Sequence, residues 1–343
     1  MTWLVTGGAG YIGSHIVAAL VESGQRPVVL DDLSTGHEDF IPAEVPFIRG
    51  SVLDGEKVLD ALTDYDVTGV IHVAAFKYAG VSVTEPLRTY RQNVTGIATV
   101  LAAMESAGVE RMVFSSSAAV YGTPPEGLVT EQTPKNPESP YGETKLIGEW
   151  MLADQAVARG LHHTSLRYFN VVGSGSPKLY DSSPHNLFPL VFTALIEGRT
   201  PRINGNDFPT PDGTAVRDYI HVQDLALAHV AAAARLDAGQ TIEAAYNLGS
   251  GTGVSVGQIM TTVAEVTGIP FTPEIGDRRA GDPASIVAGG QWAARDLGWT
   301  MRHSLREMVQ SQWEATSARM GSSSSAASED DAIAGAAQPS GSD

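Results

Sequence analysis

Two side chains four residues apart, Tyr141 and Lys145 in the run Tyr141-Gly142-Glu143-Thr144-Lys145, carry a chemistry of their own. A spacing of four puts both on one face of a helix. A tyrosine hydroxyl ionises near pH 10 and is a poor base at neutral pH, but an adjacent ammonium and a cationic ligand both favour the phenolate. Lys145 is therefore expected to depress the pKa of Tyr141, so that Tyr141 can take a proton from a substrate hydroxyl. Upstream, Ser115-Ser116-Ser117-Ala118-Ala119-Val120-Tyr121-Gly122 offers Ser117 as a hydrogen-bonding partner for the same hydroxyl. Serines also cap loops without any chemistry, and Y-x-x-x-K arises by chance, so the reading depends on what precedes them.

What precedes them is a place for a dinucleotide. Residues 2 to 13 read Thr-Trp-Leu-Val-Thr-Gly-Gly-Ala-Gly-Tyr-Ile-Gly, an apolar run that meets glycines at Gly7, Gly10 and Gly13. A strand that turns into a helix through glycines presents bare backbone N–H groups at a positive dipole end, which suits a pyrophosphate. The pattern is G-x-x-G-x-x-G, not the commonest G-x-G-x-x-G fingerprint, and a glycine triplet alone also occurs in a purely structural tight turn. The next apolar run, Pro27 to Leu30, ends at Asp31, placed to hold a ribose 2'-hydroxyl and to repel a 2'-phosphate, which favours NAD over NADP. The polar residues Asp32, Leu33, Ser34, Thr35 and Gly36 follow and are expected to run over the adenosine ribose. With NAD in place, Lys145 would hold the nicotinamide ribose as well.

These groups need a scaffold that brings strand ends together. Apolar runs at Trp3–Val5, Pro27–Leu30, Pro46–Arg49, Val70–Ala74, Arg111–Ser115 and His162–Arg167 alternate with helical patterns at Tyr11–Ser23, Glu56–Leu62, Thr84–Gly108 and Tyr141–Gly160. Such alternation predicts an α/β fold of the Rossmann type, a doubly wound parallel sheet, with ligands off the carboxyl ends of the strands. We expect residues 1–170 to form the NAD-binding domain, with 218–245 packing back onto it through a helix from Gln223 to Leu236. Residues 171–217 and 246–320 form a smaller mixed α/β lobe, built from Val254–Gly268, strand-like Phe271–Ile275, and helices at Gln291–Leu297 and His303–Arg319. Met260, Trp292, Trp299 and Trp313 read as core. The tail 321–343 is rich in Ser, Ala and Gly with four acids and no base, and is expected to be disordered.

Composition narrows the classes. The 343 residues carry a net charge of −17, which disfavours nucleic acid and anionic membranes as partners and leaves local arginines to meet anionic ligands. The absence of cysteine excludes disulfides, thiolate catalysis and cysteine-ligated metals, and no histidine spacing matches a metal site. No run is apolar enough to span a bilayer, so a cytoplasmic protein is expected.

The stretches TGGAGYIGSH, LDDLSTG, FSSSAAVYG, SPYGETK, LRYFN, NGNDFPTPDGT with VRDYIHV, YNLGSG and RRAGD recur in order along most of the chain. Through them the sequence resembles the extended short-chain dehydrogenase/reductases and, within that superfamily, the UDP-glucose 4-epimerase (UDP-galactose 4-epimerase) family. The resemblance implies that Tyr11, Ile12, Ser51, Val52, Val73, Ala74, Ala75, Lys77, Asn93, Ser115 and Tyr168 also serve NAD. It implies a UDP-sugar site built from Ser117, Tyr141, Asn170, Asn186, Leu187, Asn204, Arg217, Arg279 and Asp282, with Ile286 as a gate facing the hexose. Three positions depart from the family pattern: Ser51 replaces an acid near the adenine, Ala119 a threonine hydroxyl, and Asn204 an aromatic beside the base. The implied activity is NAD-dependent inversion at C4 of a UDP-hexose through a 4-keto intermediate. The runners-up are epimerisation of another UDP-sugar, then a nucleotide-sugar dehydratase or decarboxylase, then a non-catalytic NAD sensor. A dehydratase commonly carries Asp-Glu in the serine loop, which has no carboxylate here, and a sensor needs neither Tyr141 nor Lys145. A homodimer is implied, with the helices at Thr84–Gly108 and Glu143–Gly160 pairing with their copies.

Overall fold

Five consecutive buried residues, Thr2–Thr6 (β1), leave no polar face, as expected of a central strand with helices on both sides. The computed structural model describes residues 1–124, 127–279 and 282–319. From β1 the chain runs through Tyr11–Glu22 (α1), Arg26–Asp31 (β2), Phe47–Arg49 (β3), Gly55–Asp64 (α2), Gly69–His72 (β4), Ala79–Thr84 (α3), Pro86–Tyr90 (α4), Gly96–Ala107 (α5) and Arg111–Ser115 (β5). Leu128–Val129 (β6), Pro140–Arg159 (α6) and His162–Tyr168 (β7) follow. Next come Asn170–Val172 (β8), Leu187–Ile196 (α7), Arg202–Asn204 (β9), Val216–Arg217 (β10), Tyr219–His221 (β11), Val222–Asp237 (α8) and Ala245–Leu248 (β12). Val254–Ser255 (β13), Val256–Thr267 (α9), Glu274–Gly276 (β14), Ser285–Ala288 (β15) and a helix over 305–319 (α10) end the described chain.

Seven strands form one parallel sheet in the order β12-β7-β5-β4-β1-β2-β3. The order reverses between β1 and β4, which opens a crevice at their carboxyl ends. α1 and α8 pack on one face, where Ile16, Leu20, Leu225 and Ala228 are buried. α2, α5 and α6 cover the other face through Val58, Val100 and Leu152. Beside this layer, α7, α9 and α10 enclose a second core around Phe188, Phe192, Ile259 and Met308. Met260 lies in that core with Trp313 against it, while Trp292 and Trp299 belong to the first.

Local chemistry explains most boundaries. Ser139 caps α6 by accepting the Gly142 N–H, Pro140 opens it, and Gly160 ends it at φ 76°. The helix expected over Thr84–Gly108 starts at Pro86 and passes through one π-turn, Arg91–Thr95, before Gly108 stops it at φ 68°. The strand expected at Phe271–Ile275 begins only at Glu274, because Pro270 and Pro273 have no N–H to give a ladder. The helix expected at Gln291–Leu297 is a π-turn, Ala293–Leu297, closed by Gly298. α8 packs on α1, and the chain then enters β12, which pairs with β7, so the large sheet extends past residue 245 to Leu248. The expected tail lies outside the described residues.

Candidate active site

The crevice holds a cavity of about 440 Å³ lined by the glycine turn, the ends of β2, β4 and β7, the start of α6 and the loop before α7. That size suits a cofactor or substrate. Gly10 is the N-cap of α1 with no side chain on the free N–H groups and no acid in the first turn, so the positive end of a twelve-residue helix opens on the cavity. Gly7 adopts φ +72°, and a Cβ there would come within 2.7 Å of the Ala74 nitrogen. A Cβ at Gly13 would overlap the Gly7 carbonyl. The Asp31 carboxylate closes β2, accepting the Ala9 N–H at 3.0 Å and the Leu33 N–H at 2.8 Å, while burial pushes its pKa up against these bonds. Leu33 is thereby held at φ 58°, and Gly36 passes close over Ala9 and Asp31. An uncapped helix end, a glycine turn and an acid at the next strand end fit a dinucleotide.

Ser117, Tyr141 and Lys145 line the same cavity. Ser117 stands close enough to Tyr141 to lower the pKa of its hydroxyl, and its own Oγ accepts the Ala119 N–H at 3.2 Å. Lys145 Nζ lies 5.8 Å from the Tyr141 ring centroid and donates to the Ser115 carbonyl at 2.8 Å. The electrostatics differ from the expectation that Lys145 depresses Tyr141. Burial pushes the Tyr141 hydroxyl up to about 12, and Ser117 lowers it only in part. Burial also pulls Lys145 down to about 7, with Glu149 pulling the other way. Removal from water dominates both groups before any ligand charge enters.

Of the residues singled out in the sequence, Gly7, Gly10, Tyr11, Ile12, Gly13, Asp31, Asp32, Ser34, Thr35, Val52, Val73, Ala74, Ala75 and Lys77 line the cavity. So do Ser117, Tyr141, Lys145, Tyr168, Asn170, Asn186 and Leu187. Leu33, Gly36, Ser51, Asn93 and Ser115 stand outside the lining. Of these, Asn93 accepts the Phe76 N–H at 2.7 Å and donates to Thr144, and Ser51 accepts the Leu53 N–H. Asn204, Arg217, Arg279, Asp282 and Ile286 also lie outside it. Arg217 instead pairs with Asp282 at 3.5 Å, Arg279 is exposed, and Ile286 packs on the cluster of Val120, Tyr121 and Phe169. Asn186 donates to Asp181 at 2.6 Å, and Asn170 to the Asp218 carbonyl at 2.9 Å.

The cavity also takes Phe76, Tyr78, Arg88, Gln92, Phe169, Asp181, Ser183, Phe188, Tyr219 and Gln312, which sequence reasoning passed over. For Asp181 a signal existed: an acid two residues before serine, just ahead of a helix start, caps its own turn, and it accepts the Ser183 N–H at 3.0 Å. Gln312 is a polar residue 1% exposed on an otherwise apolar helix face, where it accepts the Gly173 N–H.

The chain matches the model of the NAD dependent epimerase/dehydratase family over residues 3–249. It belongs to that family. UDP-glucose 4-epimerase of Corynebacterium glutamicum is 44% identical over 321 residues, which are 93% of this chain and 96% of that protein. The crystal structure of UDP-glucose 4-epimerase from Brucella ovis in complex with NAD matches with a TM-score of 0.87 and 39% identity, covering 90% of this chain and 96% of that one. The enzyme from Bifidobacterium longum in complex with NAD+ and UDP has a TM-score of 0.83 and 34% identity, covering 92% and 98%. As a member of the NAD-dependent epimerase/dehydratase family the chain is an enzyme that uses NAD, and its large sheet is the family's Rossmann-like sheet. Among the described residues no group of side chains could hold a metal, and no helix is long and apolar enough to cross a membrane.

Proposed function

We propose that this chain inverts C4 of a UDP-hexose, interconverting UDP-glucose and UDP-galactose. The observation that carries the reading is Ser117, Tyr141 and Lys145 lining the same cavity as the glycine turn and Asp31, with no carboxylate in the serine loop. The one carboxylate on the facing loop, Asp181, is engaged by Asn186 and Ser183, which speaks against a dehydratase. Tyr141 Oη takes the proton of the sugar 4-hydroxyl, Ser117 Oγ hydrogen-bonds that oxygen, and Lys145 Nζ supplies positive charge beside the phenolate. Held by the glycine turn and Asp31, NAD would supply the reversible hydride acceptor for C4, and its cationic ring would favour the phenolate. The 4-keto sugar turns over about its diphosphate linkage, and Tyr141 returns the proton on completion.

In this reading the glycine turn and Asp31 hold NAD, while Asn170, Asn186 and Leu187 face the diphosphate. Arg217, Arg279 and Asp282 are assigned to the nucleotide, with Asn204 at the base and Ile286 behind Phe169 at the hexose. We assign residues 1–170 and 218–248 to the cofactor unit and 171–217 with 249–320 to the sugar-nucleotide lobe. We further infer a homodimer through α4–α5 and α6, and a cytoplasmic location, since the substrate and cofactor are both soluble anions; cell fractionation checks the latter. The purified protein, incubated with UDP-galactose and no added NAD, is expected to form UDP-glucose, detected by chromatography. No product would sink the reading.

A further inference from the structure

Below the serine loop lies a charged pair that the reaction just described does not use. Glu149 and Arg167 are buried, with side chains 9% and 5% exposed. Arg167 donates from Nε to Glu149 Oε1 at 2.8 Å and from Nη2 to Oε2 at 2.5 Å, a two-pronged contact. A salt bridge this deep returns little stability against the cost of removing both charges from water, so its place in the fold calls for another account.

Its remaining bonds supply one. Ser116 Oγ donates to Glu149 Oε1 at 2.6 Å, immediately before Ser117. Arg167 Nη1 donates to the Tyr121 hydroxyl at 2.9 Å, at the far end of the short turn Ala118–Tyr121 that begins after Ser117. Tyr121 in turn donates to Asn247 at 2.7 Å. One pair thus grips the loop on both sides of Ser117. Glu149 also follows Lys145 by one helical turn, and Lys145 is bonded to the Ser115 carbonyl, one residue before Ser116.

We propose that Glu149 and Arg167 are positioning residues for the C4 chemistry: as a clamp on both sides of Ser117 they aim it at Tyr141, with the Glu149 carboxylate one helical turn from Lys145. The proposal rests on the epimerase reading. Other titratable groups near Lys145 are His72 on β4 and, through Ser115, His229 on α8 and Tyr168 on β7. Burial holds both histidines well down and Tyr168 well up, so none of the three carries charge near neutral pH. Around Glu149 stand Arg167, Tyr121, His163 and the exposed Lys135. Neutralising Glu149 leaves Arg167 buried and unpaired, which lowers the pKa of Lys145 further.

The test compares wild type, Glu149→Gln, Glu149→Asp and Ser116→Ala, all with copurified NAD, on UDP-galactose. For Glu149→Gln, kcat is expected to fall at least tenfold with KM within about twofold, and the alkaline limb of kcat to move to lower pH. Glu149→Asp keeps the charge and should restore the position of that limb. Ser116→Ala should lose about fivefold in kcat with the limb unmoved. Wild-type kcat and pH profile in Glu149→Gln would overturn the proposal, as would a loss of rate without any shift of the limb. If Glu149→Gln fails to fold, Ser116→Ala decides, and unchanged kcat there overturns the clamp. An inactive wild type would instead refute the epimerase reading and the proposal with it.

Discussion

The single most consequential atom in the site is the Tyr141 hydroxyl oxygen, buried and pushed up to about 12 by that burial. In the proposed reaction this hydroxyl must ionise, so bound ligands are expected to contribute the missing positive charge. Tyr141→Phe removes the ionisable group and little else. It is expected to lower kcat by about 10²- to 10⁴-fold, the usual worth of a general base, while NAD absorbance and UDP-sugar binding by calorimetry stay near wild type. Near-normal turnover would show that another group is the base. At this scale the sequence was most legible where chemistry sits in contiguous runs: the glycines, Asp31, Ser117, and Tyr141 with Lys145. The direction of the Tyr141 shift was not legible, because depth of burial depends on distant packing. Tyr78, Asp181 and Gln312 were missed for the same reason, since loops and a helix far apart in the chain bring them to the cavity.

Among the elements, the apolar runs located six of the seven strands of the large sheet and missed β12, and other errors fall where backbone chemistry intervenes: a π-turn inside one helix and a proline inside one strand of the second lobe. The second lobe was read less well, because its strands are two to four residues long and leave no periodicity to count. α4–α5 and α6 lie side by side, tied by an ion pair from Arg159 to Glu105 at 2.7 Å. They leave Leu87 82%, Trp150 58% and Val157 92% exposed. Large apolar groups on adjoining helices fit a self-complementary surface on a second copy. In size-exclusion chromatography with light scattering, the protein is expected at twice the chain mass and Leu87→Glu/Trp150→Glu at the chain mass. A wild type at the chain mass, or a variant that stays paired, would contradict this interface.

For the whole molecule, buried histidines govern the response to acid. Burial pushes His15 and His229 down to about 4 and His72 and His221 down to about 3. Unfolded, each titrates near 6.5, so as pH falls the unfolded chain takes up protons first. The stability these neutral rings contribute is whole above about pH 6.5 and drains away toward pH 3 to 4, with a slope of up to ~1.4 kcal/mol per pH unit for each ring. Asp31 and Asp218, whose pKa values burial raises, work in the opposite direction at the acid end. The urea midpoint is expected to hold from pH 7.5 to about pH 6.5 and to fall from there to pH 5, and His229→Gln to flatten that decline. A midpoint independent of pH would refute the assignment. The pairing of β12 with β7 has a consequence for biosynthesis. A nascent chain makes six strands of the sheet, then the loop, helix and short strands from Asn170 to His221, before α8 and β12 can cover the exposed side of α1 and the open edge of β7. Such long-range closure is slow, and until Leu248 has cleared the ribosome the emerging half presents a bare strand edge to its neighbours on the polysome.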